Sequence, residues 1–337
     1  MLYVTTGNNQ EVFTNYHVRT ENRGMDGGLF VPLKLPRFSP EELNRLREMS
    51  FGHRISEILN LFFSEKLTGW DVEFSIGRYP VRMEQLAHKI IMAETWHNPD
   101  WHYKRMEKNL TELLCAGTNI SGNWVSVAIK MSVFAGIFGS SEMFDQGPVD
   151  IAVVSGDFTD PISAWYLRKM GFPVGNIICC CNENNQIWDL LCNGQMHTNS
   201  ISLSTIVPEA DISLPENLER LIFDCGGTDE AKRFKNCCRA GSVYAVSETM
   251  LQNLRQGLLS CVVSSDRVRN TIPNVFKSHK YLLSPSSALA YSGMLDYRSK
   301  TGITRTAVII CDRSPICDLE TISNIMDISV SDLKKLV

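Results

Sequence analysis

The chain has 337 residues, 44% of them hydrophobic and 21% charged, without a low-complexity tract, which excludes a disordered polypeptide and leaves ample apolar material for a core. A net charge of -4 argues against a general nucleic-acid binder, because holding a phosphate backbone requires a basic surface. The eleven cysteines are odd in number and partly adjacent, as in Cys179 to Cys181, so no disulfide framework is expected and a reducing, cytoplasmic setting fits.

The start, MLYVTTGNNQ, has no basic region followed by an apolar stretch, so no secretory signal is expected. Residues 1–85 combine a Gly-rich turn at Met25-Asp26-Gly27-Gly28 with helical signals and are expected to form a helical N-terminal segment. Ser39-Pro40-Glu41-Glu42 reads as a helix start, with Ser39 as the cap and Pro40 in the first turn. Leu43, Leu46, Ile55, Ile58, Leu59 and Phe62 recur at spacings that give helices one apolar face.

Residues 86–337 are expected to form an α/β domain. Val125 to Gly139 is the most apolar long stretch, but it is short for a membrane span of ~20 residues and carries Lys130. Val149 to Val154 is a β-branched run that stops at a loop, Ser155 to Asp160. Pro161 to Met170 follows as a helix, with Asp160 as its cap, and Asn176 to Cys181 forms the next strand. This β-loop-α-β order predicts neighbouring parallel strands in a mostly parallel sheet flanked by helices. The N-terminus of the helix is expected to point its free N–H groups at the Ser155 to Asp160 loop, a place for an anion. Ala307 to Cys311 is a further strand, and Asp318 to Leu336 reads as helical.

Five stretches, in this order, resemble the threonine synthase family, pyridoxal-phosphate enzymes of fold type II. The opening MLYVTTGNNQEVF with MDGGLFVP is similar to the family's N-terminal signature. Glu94 to Arg105, ETWHNPDWHYKR, resembles E-L-F-H-G-P-T-L-A-F-K-D, which places Lys104 on the Schiff-base lysine and His97 on the substrate side. SGDFTD followed by AWYLRKMGFPV and CNENNQ resembles the family's S-G-N-F-G-N/D block, so the resemblance assigns cofactor phosphate binding to Ser155, Gly156, Asp157, Phe158, Thr159 and Asp160. ADISLPENLERLIF matches a later block, and SPSSALA places Ser287 opposite the pyridine nitrogen.

Departures accompany the likeness. Ser121 to Ser126, with Asn123 on the substrate side, resembles a block that lies much further along in the family. A small mobile domain with its carboxylate-gripping loop therefore has no counterpart after Lys104. Asp157 stands for Asn, Thr159 for Gly, and Arg105 for the Asp after the lysine. A β-branched Thr is expected to resist a left-handed cradle, and a carboxylate at Asp157 to repel phosphate.

The resemblance implies pyridoxal phosphate bound through Lys104, its amine rendered neutral by burial among Trp96, Trp101 and Tyr103, for elimination or replacement on a hydroxy-amino-acid derivative. The other reading is a catalytically silent protein of the same fold acting as a binding or scaffold partner. A homodimer or a second chain supplying the missing part is compatible with both. A mononuclear metal site of Glu94, His97, Asp100 and His102 fits no standard ligand spacing, so no metal is expected.

Overall fold

The computed structural model describes residues 1–96, 102–114 and 123–336. Its strands, in chain order, are β1 (Leu2–Thr5), β2 (Phe13–Thr14), β3 (Phe30–Pro32), β4 (Arg82–Ala87), β5 (Ile90–Glu94), β6 (Val149–Val154), β7 (Val174–Cys181), β8 (Gln195–His197), β9 (Val243–Ala245), β10 (Leu258–Val262) and β11 (Ala307–Cys311). Six of them form the central sheet in the order β10-β7-β6-β11-β5-β4. Pairing is parallel from β10 to β5, and β4 is antiparallel on the edge.

The inner strands are largely apolar because both faces of the sheet are covered there, with Asp150 of β6 and Asn176 of β7 as polar exceptions, whereas the edge strand β4 is mostly polar and exposed. Ile151, Val153, Ile177, Cys179, Val308 and Ile310 face one core, formed with the Phe51–Phe63, Trp124–Phe138 and Thr159–Lys169 helices. Their neighbours Ala152, Ile178, Cys180, Ile309 and Cys311 face the other, under the Ser265–His279 and Pro285–Thr301 helices. The Trp124–Phe138 helix is buried all round, which accounts for its nearly continuous apolar sequence. Tyr3, Phe30, Ile55 and Phe62 of the N-terminal part enter the same core as Trp124 and Phe134.

The β6-helix-β7 unit has the expected parallel pairing, Ile151 beside Ile177 and Val154 beside Cys180. Pro40–Arg47 is a helix with Ser39 and Glu42 closing a reciprocal cap. Three local expectations change. The N-terminal segment contains a three-stranded antiparallel sheet, β2-β1-β3, besides its helices, its strands being too short to show a period of two. Asp318 to Leu336 is not one helix: Leu319–Met326 ends at Asp327, whose φ of 55° is left-handed, and Ser329 caps a second short helix, Val330–Leu333. The helix after β6 begins at Thr159 rather than Pro161, with Phe158 as its cap in place of Asp160.

The strand order places a crevice at the carboxyl ends of β6 and β11. The chain leaving β6 runs over one face to β7, whereas β11 is reached from β10 over the other face. Such a switch point leaves room between the departing loops.

Candidate functional site

That crevice is a cavity of about 580 Å³, lined from six separate stretches of chain, one of them Pro208, Glu209 and Ile212. The Tyr103–Leu113 helix supplies Tyr103, Lys104 and Glu107. The Trp124–Phe138 helix supplies Ser126 and Lys130. The loop after β6 supplies Ser155, Gly156, Asp157, Thr159 and Asp160, the end of β11 Asp312 and Arg313, and the Pro285–Thr301 helix Ser286.

Lys130 lies at the base with its side chain 1% exposed. Its Nζ is 2.5 Å from an Asp312 oxygen and 3.1 Å from an Asp160 oxygen, and stands 3.4 Å from the centre of the Tyr103 ring. Burial alone would lower the lysine's pKa, but the two carboxylates outweigh it and hold the ammonium charged. Burial and the Asp312 charge push the Asp160 carboxyl well up, whereas for Asp312 burial is outweighed by Lys130 and the pKa falls. Thr95 Oγ1 donates to Asp312 at 2.6 Å and orients it.

Above this triad, Glu107 accepts a hydrogen bond from the Ser126 hydroxyl, and burial raises its carboxyl pKa. His102 caps the helix by accepting from the Lys104 N–H at 3.1 Å, and burial lowers its pKa. Arg313 pairs with Glu209 at 3.3 Å and Asp318 at 2.8 Å. The Tyr103 hydroxyl is buried on the cavity wall, the residue 6% exposed, and meets no hydrogen-bond partner among the described residues. A buried hydroxyl left unpaired is costly, so it marks a place for a ligand atom.

The loop after β6 is closed on itself. Asp157 accepts from the Thr159 N–H at 3.0 Å and from the Thr159 hydroxyl at 2.8 Å. The left-handed residues are Gly156, φ 44°, and Phe158, φ 70°, so Thr159 is helical and escapes the strain expected of it.

The residues singled out from sequence separate into three groups. Lys104, Ser155, Gly156, Asp157, Thr159 and Asp160 line the cavity together. Phe158 is fully buried beneath the loop, and Ser287 accepts from Ser284 Oγ at 2.9 Å behind the wall, where Ser286 is the serine that faces the cavity. Asn123 caps the Trp124–Phe138 helix, accepting from Ser126 N at 3.2 Å, and so holds the helix that carries Ser126 and Lys130. His97 and Asp100, like Trp101, lie outside the described residues. Glu94 accepts from the Tyr281 hydroxyl at 2.5 Å, and no metal-binding group of three or more His, Cys, Asp or Glu occurs among the described residues. Lys104 is exposed, not buried, because it stands on the first turn of its helix at the cavity mouth.

Sequence reasoning missed Lys130, Glu107, Asp312 and Tyr103 as parts of one site. Lys130 carried a signal: a single charge inside an otherwise uncharged, almost wholly apolar helix requires a buried partner.

Pyridoxal phosphate, implied by the resemblance, matches the site at one end only. The cavity has room for its ring, and Lys104 offers an amine without an ion pair among the described residues. Its phosphate does not fit. The Thr159 N–H at the helix N-terminus is already taken by Asp157, and Lys130 is already paired with Asp160 and Asp312. Like unit charges ~4 to 5 Å apart repel by ~3 to 4 kcal/mol at an effective dielectric of ~20, so an anion beside the Asp157 carboxylate is disfavoured. The helix N-terminus offsets only ~1 to 2 kcal/mol of that.

Residues 2–78 match the family model described as threonine synthase N terminus. Threonine synthase of Saccharomyces cerevisiae is 22% identical over 183 residues, which are 50% of this chain and 36% of that protein. Threonine synthase-like 1 of Homo sapiens is 26% identical over 147 residues, 42% of this chain and 20% of that protein, so the matched stretches span about a third and a fifth of these two relatives. Among solved structures, threonine synthase from yeast superposes with a TM-score of 0.84 at 17% identity, over 99% of this chain and 93% of that one. The PLP-bound threonine synthase from Brucella melitensis gives 0.81 at 18% identity, over 96% and 91%. Residues 2–78 are thus similar to the threonine synthase N-terminus, and nearly the whole chain has the fold of the threonine synthase structures.

Proposed function

We propose that this protein is a catalytically silent, small-molecule-binding relative of the threonine synthases, acting as a binding or scaffold partner. The observation that supports this most directly is that the groups at the cavity base are engaged with each other. Lys130 is paired with Asp160 and Asp312, and Asp157 caps the loop, so no free cation is left at the base among the described residues to grip a reacting phosphate or carboxylate. The unpaired Tyr103 hydroxyl supports a ligand of amino-acid size in the remaining space. Its partner is a second copy or another chain, readable from the molar mass in solution.

A second reading, pyridoxal-phosphate-dependent elimination or replacement through Lys104, has one observation in its favour: the Lys104 side chain lines the cavity without an ion pair among the described residues. One experiment separates the two. The purified protein is incubated with pyridoxal phosphate, its visible spectrum is recorded, and the sample is reduced with borohydride and mapped by mass spectrometry. The silent reading expects no stable visible band and no selective label on Lys104. A stable band that disappears in Lys104→Ala establishes the second reading and overturns the first.

A further inference from the structure

The helix that follows β6 begins with a side chain standing where an external anion would be received. Both oxygens of Asp157 are held by Thr159, one by its N–H at 3.0 Å and the other by its hydroxyl at 2.8 Å. The arrangement is braced from outside. Asn217 donates through Nδ2 to Thr159 Oγ1 at 2.9 Å and through its backbone N–H to the Asp157 carbonyl at 3.1 Å. The Asn217 side chain is in turn fixed by the buried guanidinium of Arg220.

The other side of the loop is also closed. A Cβ on Gly156 would lie 3.3 Å from the Glu209 carbonyl oxygen, so the Pro208–Ala210 turn passes close over the glycine. The cavity continues past this closed end toward Tyr103, whose buried hydroxyl is the unpaired polar group on its wall among the described residues.

We infer that Asp157 is a resident anion: its carboxylate replaces a ligand phosphate at the helix N-terminus, so that the cavity admits unphosphorylated small molecules and rejects phosphorylated ones. This deepens the silent-binder reading and rests on it. A neutral capping side chain would satisfy the same N–H without repelling a phosphate, so the charge of Asp157, not its hydrogen bonds, makes the selection.

The test compares the wild type with Asp157→Asn by isothermal titration calorimetry, using inorganic phosphate, pyridoxal phosphate and pyridoxal as probes. Circular dichroism and thermal melting confirm that both proteins fold. Should Asp157→Asn fail to fold, Asp157→Ser keeps a capping oxygen and removes the charge. The expected result is at least ~10-fold tighter binding of phosphate and pyridoxal phosphate by the variant, a tenfold change being ~1.4 kcal/mol, with pyridoxal binding unchanged. Equal phosphate affinity in the two proteins overturns the inference, and so does an equal gain for pyridoxal. A visible Lys104 band in the wild type would instead overturn the silent-binder reading, so the two failures are distinguishable.

Discussion

Replacing Lys130 with Met removes the buried cation between two partly buried carboxylates while keeping most of the side-chain volume. In the wild type, Nζ lies 2.5 Å from Asp312 and 3.1 Å from Asp160, with the side chain 1% exposed. Breaking such a pair from one side costs roughly 3 to 5 kcal/mol, because the remaining charges stay buried and uncompensated. Taking an unfolding entropy of ~2.1 cal/mol/K per residue over 337 residues, that loss lowers Tm by ~4 to 7 °C. The loss also depends on pH. Asp160, whose carboxyl is already pushed up by burial and by Asp312, rises further without the lysine. A carboxyl with a raised folded pKa contributes stability below the unfolded carboxylate range and loses it as pH rises through the folded value. Lys130→Met is therefore most destabilised at neutral pH and approaches the wild type on acidification. Urea unfolding at pH 7 and pH 4 measures this. The triple variant Lys130→Met, Asp160→Asn, Asp312→Asn should recover at least half of the loss. A loss below ~1 kcal/mol, or one equal at both pH values, would refute the assignment of Lys130 as the neutralising centre of the cavity.

Tyr103→Phe should be neutral or stabilising by up to ~1 kcal/mol, since it removes a buried hydroxyl without a partner and keeps the ring beneath Lys130. A loss above ~1 kcal/mol in chemical denaturation would mean that the hydroxyl is bonded in the free protein. Glu107 has a carboxyl pKa raised by burial, so its contribution to stability is present below the usual Glu range and declines as pH rises through the raised value. Glu107→Gln should thus melt above the wild type at pH 7 to 8, with the difference vanishing near pH 4. Calorimetric melts across that range decide it, and a constant Tm offset at every pH contradicts the assignment.

Much of the scaffold was legible because its signals are local. Val149 to Val154, Val174 to Cys181 and Ala307 to Cys311 are apolar or β-branched runs, and a strand buried on both faces needs nothing else from its own sequence. The Ser39 cap and the recurrence of Ile55, Ile58, Leu59 and Phe62 are likewise written within one or two helical turns. β1 and β3 escaped notice because they hold four and three residues and are made strands by pairing with each other across the Gly-rich turn.

The ordered family blocks brought Lys104 and the Ser155 to Asp160 loop to attention, and the fold does assemble them around one cavity. Their electrostatic state was decided elsewhere in the chain. Lys130 and Asp312 are 182 positions apart, and Thr159 and Asn217 are 58 apart. Whether Lys104 is buried depends on where its helix meets the cavity mouth, and whether Asp157 repels or caps depends on the register of Thr159 and the bracing of Asn217. Spacing along a sequence specifies the local period of the backbone. Which charges neutralise each other is set by the strand order that places the ends of β6 and β11 side by side, and only the tertiary structure contains that adjacency.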